Sequence, residues 1–251
     1  MRKRSVIAAS ALIFGVVACP SAQAALTSPA ESPGSSQSPE RAQRVQAKAG
    51  GPTAEQLLAK VRDCGNQVSN GEYATDDGQS ANIPVCGKTG AVYWKADLDV
   101  VCDGQETEEC NSSTDPDFQP GTAWQQSDGQ PLNAAKLPFA VVPLPSDVWD
   151  PQDSGIEDGV GNVVAVIYQN KLVYGVVGDK GPENIIGEGS YALAEALGAD
   201  PDPSSGGIDE SDVTYIVFPA EKVDPIEDNA EANAVGERLA SQFVEANQNQ
   251  N

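Results

Sequence analysis

Carboxylates are the side chains of this sequence best suited to acid–base chemistry. The chain of 251 residues contains 37 Asp and Glu but no histidine. Without an imidazole, Ser-His-Asp hydrolysis, Cys-His proteolysis and His-ligated zinc are excluded. A pair of carboxyl groups, one donating a proton and the other accepting one, is therefore the leading catalytic hypothesis.

Asp179 and Glu188 are the pair whose surroundings favour this role. Asp179 follows an apolar run and lies between Gly178 and Gly181, which allow a tight turn and close approach of a ligand to the backbone. Glu188 follows two isoleucines and is bracketed by glycines. A carboxyl group that emerges from apolar strand ends has a raised pKa, which suits a general acid. The alternative is that both are ordinary solvated charges.

The charge balance of the chain is strongly acidic, with a formal net charge of -22. This charge repels the phosphate backbone, and no basic stripe follows the first four residues, so nucleic acid is not expected as a partner. A cationic partner is favoured. The alternative is that the charge only keeps an exported protein soluble.

The amino terminus has the pattern of an export signal. Residues 2–4 are basic, residues 5–17 are uncharged, and Ala-Gln-Ala follows at residues 22–24. We therefore expect residues 1–24 to be a signal peptide and the mature protein to be secreted, with no membrane contact, since no later run is long enough to cross a bilayer. The alternative is a lipoprotein anchored at Cys19.

Composition also predicts how the mature chain is organised. Residues 25–53 are rich in Ala, Ser and Pro and poor in large apolar side chains, which predicts a disordered linker. Residues 54–245 are expected to form a single, monomeric domain, followed by a frayed tail at 246–251.

Four cysteines remain after export, and an even number in an oxidising compartment predicts two disulfides. Three connectivities are possible. Proximity in the chain favours Cys102–Cys110 and Cys64–Cys86.

Short apolar runs between Gly, Pro, Asp and Asn predict a mainly β fold with a few short helices. Strands are expected at 91–100, 139–142, 163–168, 171–177 and 213–218, with a two-residue hairpin turn at Gln169-Asn170. Helices are expected at 54–63 after the cap Thr53, at 191–197 between Ser190 and Gly198, and near the end, where Val235, Leu239 and Phe243 form an apolar stripe.

The strand at 91–100 alternates strictly between apolar and polar residues. One face is expected to pack, and the other is expected to carry Tyr93, Lys95, Asp97 and Asp99.

Six sequence blocks resemble those of the family 75 chitosanases, in order and over nearly all of the compact region. They are Tyr93-Trp94-Lys95-Ala96-Asp97-Leu98-Asp99, Cys102-Asp103-Gly104, Thr114-Asp115-Pro116, Pro131-Leu132-Asn133-Ala134, Val177-Gly178-Asp179-Lys180-Gly181-Pro182 and Ile186-Gly187-Glu188-Gly189-Ser190-Tyr191. The resemblance implies that Asp179 and Glu188 are the two essential carboxylates. Val101 departs from the pattern, because fungal members are expected to have an acid before the cysteine.

A more distant resemblance concerns the fold. The segments around Asp179, Glu188 and the following helix are similar to the repeated pattern of double-psi β-barrels such as expansins and family 45 endoglucanases. This implies a double-psi β-barrel-like single domain, with Glu188 as general acid and Asp179 as base.

The implied activity is endo-hydrolysis of β-1,4 linkages between glucosamine units of chitosan, a cationic polysaccharide. An inverting mechanism places the two carboxyl groups roughly 6.5 to 9.5 Å apart, whereas about 5 Å indicates a retaining one. Two carboxylates supply both proton transfers, so no metal or organic cofactor is expected.

The polar face of the strand at 91–100 is the expected substrate-binding surface. Asp97 and Asp99 would pair with glucosamine amines while the Tyr93 ring stacks on a sugar, and Lys95 would bind sugar hydroxyls or hold Asp97. The alternatives are a solvated face or a structural calcium site formed with Asp103.

Two tryptophans have two possible roles each. Trp124 and Trp149 would either stack on sugar or close the barrel's end.

The competing function is a non-catalytic, expansin-like polysaccharide binder, which needs only one acid at its site. A third possible function, a lytic transglycosylase, has a neutral, acetylated substrate, so it would gain nothing from the net negative charge of this protein.

Overall fold

The computed structural model describes residues 50–248, and they form a sheet of seven strands with three α-helices. The strands are β1 (Cys86–Lys88), β2 (Ala91–Val101), β3 (Phe139–Pro143), β4 (Gly161–Tyr168), β5 (Lys171–Gly181), β6 (Glu188–Ser190) and β7 (Ile208–Val223). The helices are α1 (Ala54–Leu58), α2 (Tyr191–Leu197) and α3 (Asn229–Ala246).

Six of the strands close into a barrel. Their order is β2-β6-β3-β5-β4-β7, and β7 pairs back onto β2, while β1 forms a hairpin on the outside of β2. The β2–β6 and β3–β5 pairs are parallel, and the other pairs are antiparallel. This mainly β architecture fits the double-psi β-barrel-like single domain implied by the sequence.

The turn and cap chemistry predicted from the sequence is confirmed. Gln169-Asn170 joins β4 to β5, with Gln169 in the left-handed region at φ 54°. The Ser190 hydroxyl accepts a hydrogen bond from the Leu193 N–H at the start of α2, and Gly198 ends that helix at φ 75°. Local hydrogen bonding and a residue without Cβ decide these positions, so the local sequence predicts them.

The lengths of several elements differ from the predictions. The helix after Thr53 ends at Leu58 instead of residue 63, although the expected cap is present as a reciprocal Thr53–Gln56 capping box. Strand β7 begins at Ile208, five residues before the predicted start, because Ile208 pairs with Leu98 on β2 beyond the register shift. Cross-strand hydrogen bonds of this kind leave no trace in the local pattern.

Strand β2 is the clearest departure from the sequence analysis. Tyr93 is 4% exposed and Asp97 2% exposed, so the face expected to be polar and open is largely covered. The Tyr93 hydroxyl donates a hydrogen bond to the Asp63 carbonyl, and the Asp97 carboxyl packs against Gly187. A register shift between Ala96 and Leu98 also interrupts the alternation.

Both predicted disulfides are present. Cys64–Cys86 ties the segment after α1 to β1, and Cys102–Cys110 closes the short loop after β2. The core of the barrel is apolar, with Trp94 stacked on Tyr215 at 5.4 Å between ring centroids. On α3, Val235, Leu239 and Phe243 are buried as the stripe predicted.

The ends of the chain are covered only in part. The predicted signal peptide at 1–24, the alternative lipid site Cys19 and residues 25–49 of the predicted linker lie outside the described residues. At the carboxyl end α3 runs to Ala246, and the buried Asn247 side chain donates to the Thr89 and Phe243 carbonyls, whereas residues 249–251 lie outside the described range. Between residues 50 and 248 no helix is long and apolar enough to cross a membrane.

Candidate active site

Strand β3, which is parallel to β5 and antiparallel to β6, brings the predicted carboxylates to the same part of the barrel. Strand β3 lies between β6 and β5, with Ala140 opposite Gly189 and Val141 opposite Asp179. Glu188, the first residue of β6, therefore lies close to Asp179 on β5. On its other side β6 pairs with β2, which sets Glu188 opposite Asp99.

Glu188 lies over the end of β5. A side chain at Gly181 would collide with Oε2 of Glu188, so the absence of a Cβ at Gly181 leaves room for this carboxyl group. Residues 179 and 181 lie on one face of β5 and are roughly 7 Å apart along the strand. The Glu188 carboxyl group thus lies on the same face as Asp179, about two residues away from it.

Burial, together with the negative charges of Asp99 and Asp179, raises the pKa of Glu188 to about 7. A half-buried carboxyl group loses hydration and repels its neighbours when it ionises, so the protonated form is favoured. At neutral pH a substantial fraction of Glu188 can therefore carry the proton that a general acid needs.

Asp179 has a different environment, although it is only 8% exposed. Its Oδ1 accepts hydrogen bonds from the backbone N–H groups of Ala123 (2.7 Å) and Lys180 (2.8 Å). Burial raises the pKa of Asp179, while these two hydrogen bonds favour the carboxylate and oppose that rise. The two acids thus have different reasons to hold or release a proton.

Three more acids on and after β2 extend the cluster. Burial is the main cause of the raised pKa of each, which is about 7 for Asp97 and about 6 for Asp99 and Asp103. Repulsion between neighbouring carboxylates adds to each rise. The Lys95, Lys180, Lys222 and Arg238 side chains form ion pairs with other acids, so these cations do not neutralise the cluster.

An acidic cleft of about 480 Å³ opens beside Glu188. One wall carries Asp99 and Asp103, and the residues that complete its lining come from two loops and the start of β7: Asp115, Asp117, Asp209 and residues 203–206. Six carboxylates thus face a single opening, which concentrates negative potential there. A larger cavity of about 650 Å³ beside Tyr93 and Pro219 contains none of the five clustered acids.

The comparison with known families agrees with this geometry. Residues 98–247 match the family model described as fungal chitosanase of glycosyl hydrolase group 75. The chain belongs to this family. The match includes Asp99, Asp103, Asp179 and Glu188, whereas Tyr93, Lys95 and Asp97 precede the matched region.

Curated relatives point the same way. An endo-chitosanase of Aspergillus oryzae (strain ATCC 42149 / RIB 40) is 32% identical over 148 residues, which cover 55% of this chain and 59% of the relative. Endo-chitosanase B of Aspergillus oryzae is 34% identical over 128 residues, covering 48% of this chain and 52% of the relative. The chain thus spans little more than half the length of these relatives.

In this member of the group 75 family, the residues predicted to bind substrate do not share one surface. Asp99 lines the cleft, but Asp97 and the Tyr93 ring are covered. Lys95 is exposed and forms an ion pair with Asp212 at 2.7 Å, in place of the predicted contact with Asp97. The strict alternation of the sequence predicted that these residues share one open face. In the structure, loops and a register shift in β2 separate them.

Neither tryptophan left open by the sequence presents a free ring. Trp124 and Trp149 are both buried. Trp149 packs against Trp94 with ring centroids 6.4 Å apart, and Lys180 Nζ lies 5.8 Å from the Trp124 ring centre. Their burial therefore favours packing within the protein over stacking on sugar.

Sequence reasoning missed several acids that reach the site. Asp103 and Asp115 occur in the sequence blocks that resemble the family, but the sequence did not predict that they line the cleft. Asp76 carries no local signal at all. It lies two residues after Ala74, which pairs with Ile185 in an isolated bridge, and its approach to β2 depends on contacts between distant segments.

Proposed function

We propose that this chain is a secreted glycoside hydrolase that cleaves β-1,4 linkages of chitosan from within the polymer and inverts the anomeric carbon. Membership of the group 75 family and the endo-chitosanase relatives support the reaction class. The observation that carries the proposal is the approach of Glu188 and Asp179 on one face of the barrel, beside an acidic cleft. The two disulfides support an oxidising compartment.

Glu188 is the general acid in this mechanism. Its raised pKa of about 7 keeps it protonated over the range in which glucosamine amines carry charge. Proton transfer to the glycosidic oxygen releases the leaving sugar and leaves Glu188 ionised. The oxocarbenium-like transition state beside it is stabilised by the surrounding carboxylates.

Asp179 is the general base. With Oδ1 held by two N–H groups, Oδ2 is left to accept a proton from a water molecule on the opposite face of the sugar. The mechanism requires the two carboxyl groups to lie roughly 6.5 to 9.5 Å apart, with room for this water between base and sugar. Attack by that water forms the new bond as the glycosidic bond breaks, which inverts the configuration.

Protonated amines of chitosan are bound by the acids that line the cleft. Asp99, Asp103, Asp117 and Asp209 are the candidates, because each is at least partly exposed and lines the cavity beside Glu188. Asp97 is too deeply buried for a sugar amine to reach it directly, and Tyr93 and Lys95 make other contacts. The substrate-binding role expected for β2 therefore rests on Asp99.

The test is hydrolysis of chitosan by the protein and its Glu188→Gln variant. The variant keeps the size of the side chain but cannot donate the proton, so kcat should fall at least about a hundredfold with binding retained. Exposed Glu183 provides the matched control, and Glu183→Gln should retain full activity. Proton NMR of fresh product should show the α-anomer.

Three results would contradict the mechanism. Retention of a tenth of the activity by Glu188→Gln would remove Glu188 as the acid. Initial formation of the β-anomer would replace inversion by retention. Binding of chitosan without any release of oligomers, with cellulose and chitin also intact, would favour the expansin-like binder.

A further inference from the structure

Three acids at the edge of the cluster converge closely enough to hold one ion. One carboxylate oxygen from each of Asp76, Asp97 and Asp99 lies within 4.8 Å of the other two. Asp76 comes from the loop after Ala74, and the other two acids come from β2. Asp76 does not line the acidic cleft, so this triad extends beyond the proposed catalytic site.

Oδ1 of Asp97, the buried member of the triad, lacks a hydrogen-bond partner among the described residues. Asp97 is 2% exposed, and its Oδ1 has no hydrogen-bond partner among residues 50–248. A buried carboxylate without compensation is costly, because it gives up water and receives no opposite charge in return. Hydrogen bonding within the described structure therefore leaves Oδ1 of Asp97 unsatisfied.

The spacing of the three oxygens suits a small ion. For any three atoms no more than 4.8 Å apart, some point lies within about 2.8 Å of all three, which is 4.8 Å divided by the square root of three. Calcium binds carboxylate oxygens at roughly 2.3 to 2.6 Å, so shifts of a few tenths of an ångström complete the contact. Water can supply further ligands, since Asp76 is exposed and Asp99 is half-buried.

We propose that Asp76, Asp97 and Asp99 bind a hard divalent cation of the calcium type. Burial distinguishes this occupant from a glucosamine amine, because a sugar ring attached to the amine cannot enter a site where Asp97 is 98% covered. Oxygen ligands alone, without sulfur or imidazole, exclude the softer transition metals as preferred occupants. Asp99 needs only one oxygen for the ion and keeps the other for the cleft.

The bound ion would join two segments next to Glu188. The Ala74–Ile185 bridge sets the loop bearing Asp76 beside the chain that leads into β6, and Asp97 packs against Gly187. Repulsion between the three carboxylates would otherwise push that loop away from β2. The cation therefore holds the loop on the barrel and supports the position of Glu188 without touching the substrate.

Calcium binding to the full chain can be measured without any polysaccharide. Protein stripped with a chelator is titrated with calcium, magnesium and manganese by calorimetry, and thermal unfolding is followed with and without millimolar calcium. One saturable site and a higher unfolding temperature are expected, since an ion that binds only the folded state stabilises it.

The decisive variant is Asp76→Asn, with Asp77→Asn as its matched control. Both residues are exposed and adjacent, and both changes remove one negative charge, but only Asp76 belongs to the triad. Asp76→Asn should lower calcium affinity at least about tenfold and abolish the shift in unfolding temperature. Asp77→Asn should behave like the unchanged protein.

Two outcomes would overturn the cation site. One is the absence of saturable binding, and the other is an equal loss of affinity in both variants, which would indicate diffuse attraction to an acidic surface. If glucosamine hydrochloride stabilises the protein through Asp76 while calcium does not, the occupant is an amine. Chitosan hydrolysis by Glu188 and Asp179 stands or falls separately from all three results.

Discussion

The protonation state of Glu188 at a given pH depends on its burial and on the charges around it. Burial is the main cause of its raised pKa, and Asp99 is the neighbouring acid with the largest effect. Asp179 is only 8% exposed, but it is held by two N–H donors, which favour its ionised form and oppose the rise that burial causes in its pKa. The two carboxyl groups thus differ in what favours or opposes their ionisation, as the proposed acid and base roles would require.

The pH profile of activity should report this arrangement. With a chelator present, kcat/KM should fall as pH rises through about 7, because Glu188 loses its catalytic proton. Asp99→Asn removes the main repelling charge, so the pKa of Glu188 should fall and the alkaline limb should move to lower pH. Asp147→Asn is the control, since Asp147 is exposed and is not among the acids that raise the pKa of Glu188. An unmoved alkaline limb in Asp99→Asn would show that another group controls it.

At the scale of elements, a buried tyrosine on β7 connects the two strands that carry the acids. The Tyr215 hydroxyl lies 2.8 Å from the Asp97 carbonyl oxygen and 3.1 Å from that of Gly187. One donor thus serves the irregular part of β2 and the residue just before Glu188. The ring is fixed in turn by stacking on Trp94.

Tyr215→Phe should remove this connection while leaving the stacked ring. Loss of the hydroxyl removes one donor from two carbonyl groups, although the Gly187 carbonyl still accepts a hydrogen bond from the Asp99 N–H, so the free energy of unfolding should fall by about 1 kcal/mol. Because Gly187 precedes the general acid, kcat should fall more than KM rises. Steady-state kinetics and chemical denaturation measure the two effects.

Tyr174→Phe is the matched control for that experiment. Tyr174 is also buried, but its hydroxyl has no hydrogen-bond partner among the described residues. Removing it should leave kcat unchanged and stability equal or higher. Equal effects of the two substitutions on kcat would show that Tyr215 acts only through general packing.

For the whole molecule, the concentration of acids links stability to pH. The pKa values of Asp97, Asp99, Asp103 and Glu188 lie at about 6 or 7 in the folded protein, above the ordinary values near 4 of an unfolded chain. The folded state therefore binds more protons than the unfolded state between about pH 4 and pH 7. Stability must fall as pH rises through that range.

Thermal unfolding in the presence of a chelator should show this dependence. The unfolding temperature should be higher at about pH 5 than at pH 8, and added salt should narrow the difference by screening repulsion in a chain with net charge -22. Glu188→Gln should raise the unfolding temperature at pH 8 more than at pH 5, because it removes a charge that is costly only when ionised. A higher unfolding temperature at pH 8 in the unchanged protein would contradict the raised pKa values.

The sequence alone determined the features that depend on neighbouring residues. The hairpin at Gln169-Asn170, the caps of α2, the apolar stripe of α3 and the nearest-neighbour disulfides follow from local geometry and short separations. The proposed carboxylate pair, Asp179 and Glu188, was also predicted from the sequence, through glycines, apolar flanks and resemblance to a family. Each of these signals lies within a few residues of the position it describes.

Tertiary structure decided which acids meet and which side chains are covered. Asp76 and Asp115 reach the cluster from loops and Asp209 from the start of β7, while Tyr93 and Asp97 are covered by segments that alternation could not take into account. The physical reason is that burial and electrostatic repulsion depend on distance in space. A raised pKa at Glu188 therefore exists only once β2, β5 and β6 are assembled in one barrel.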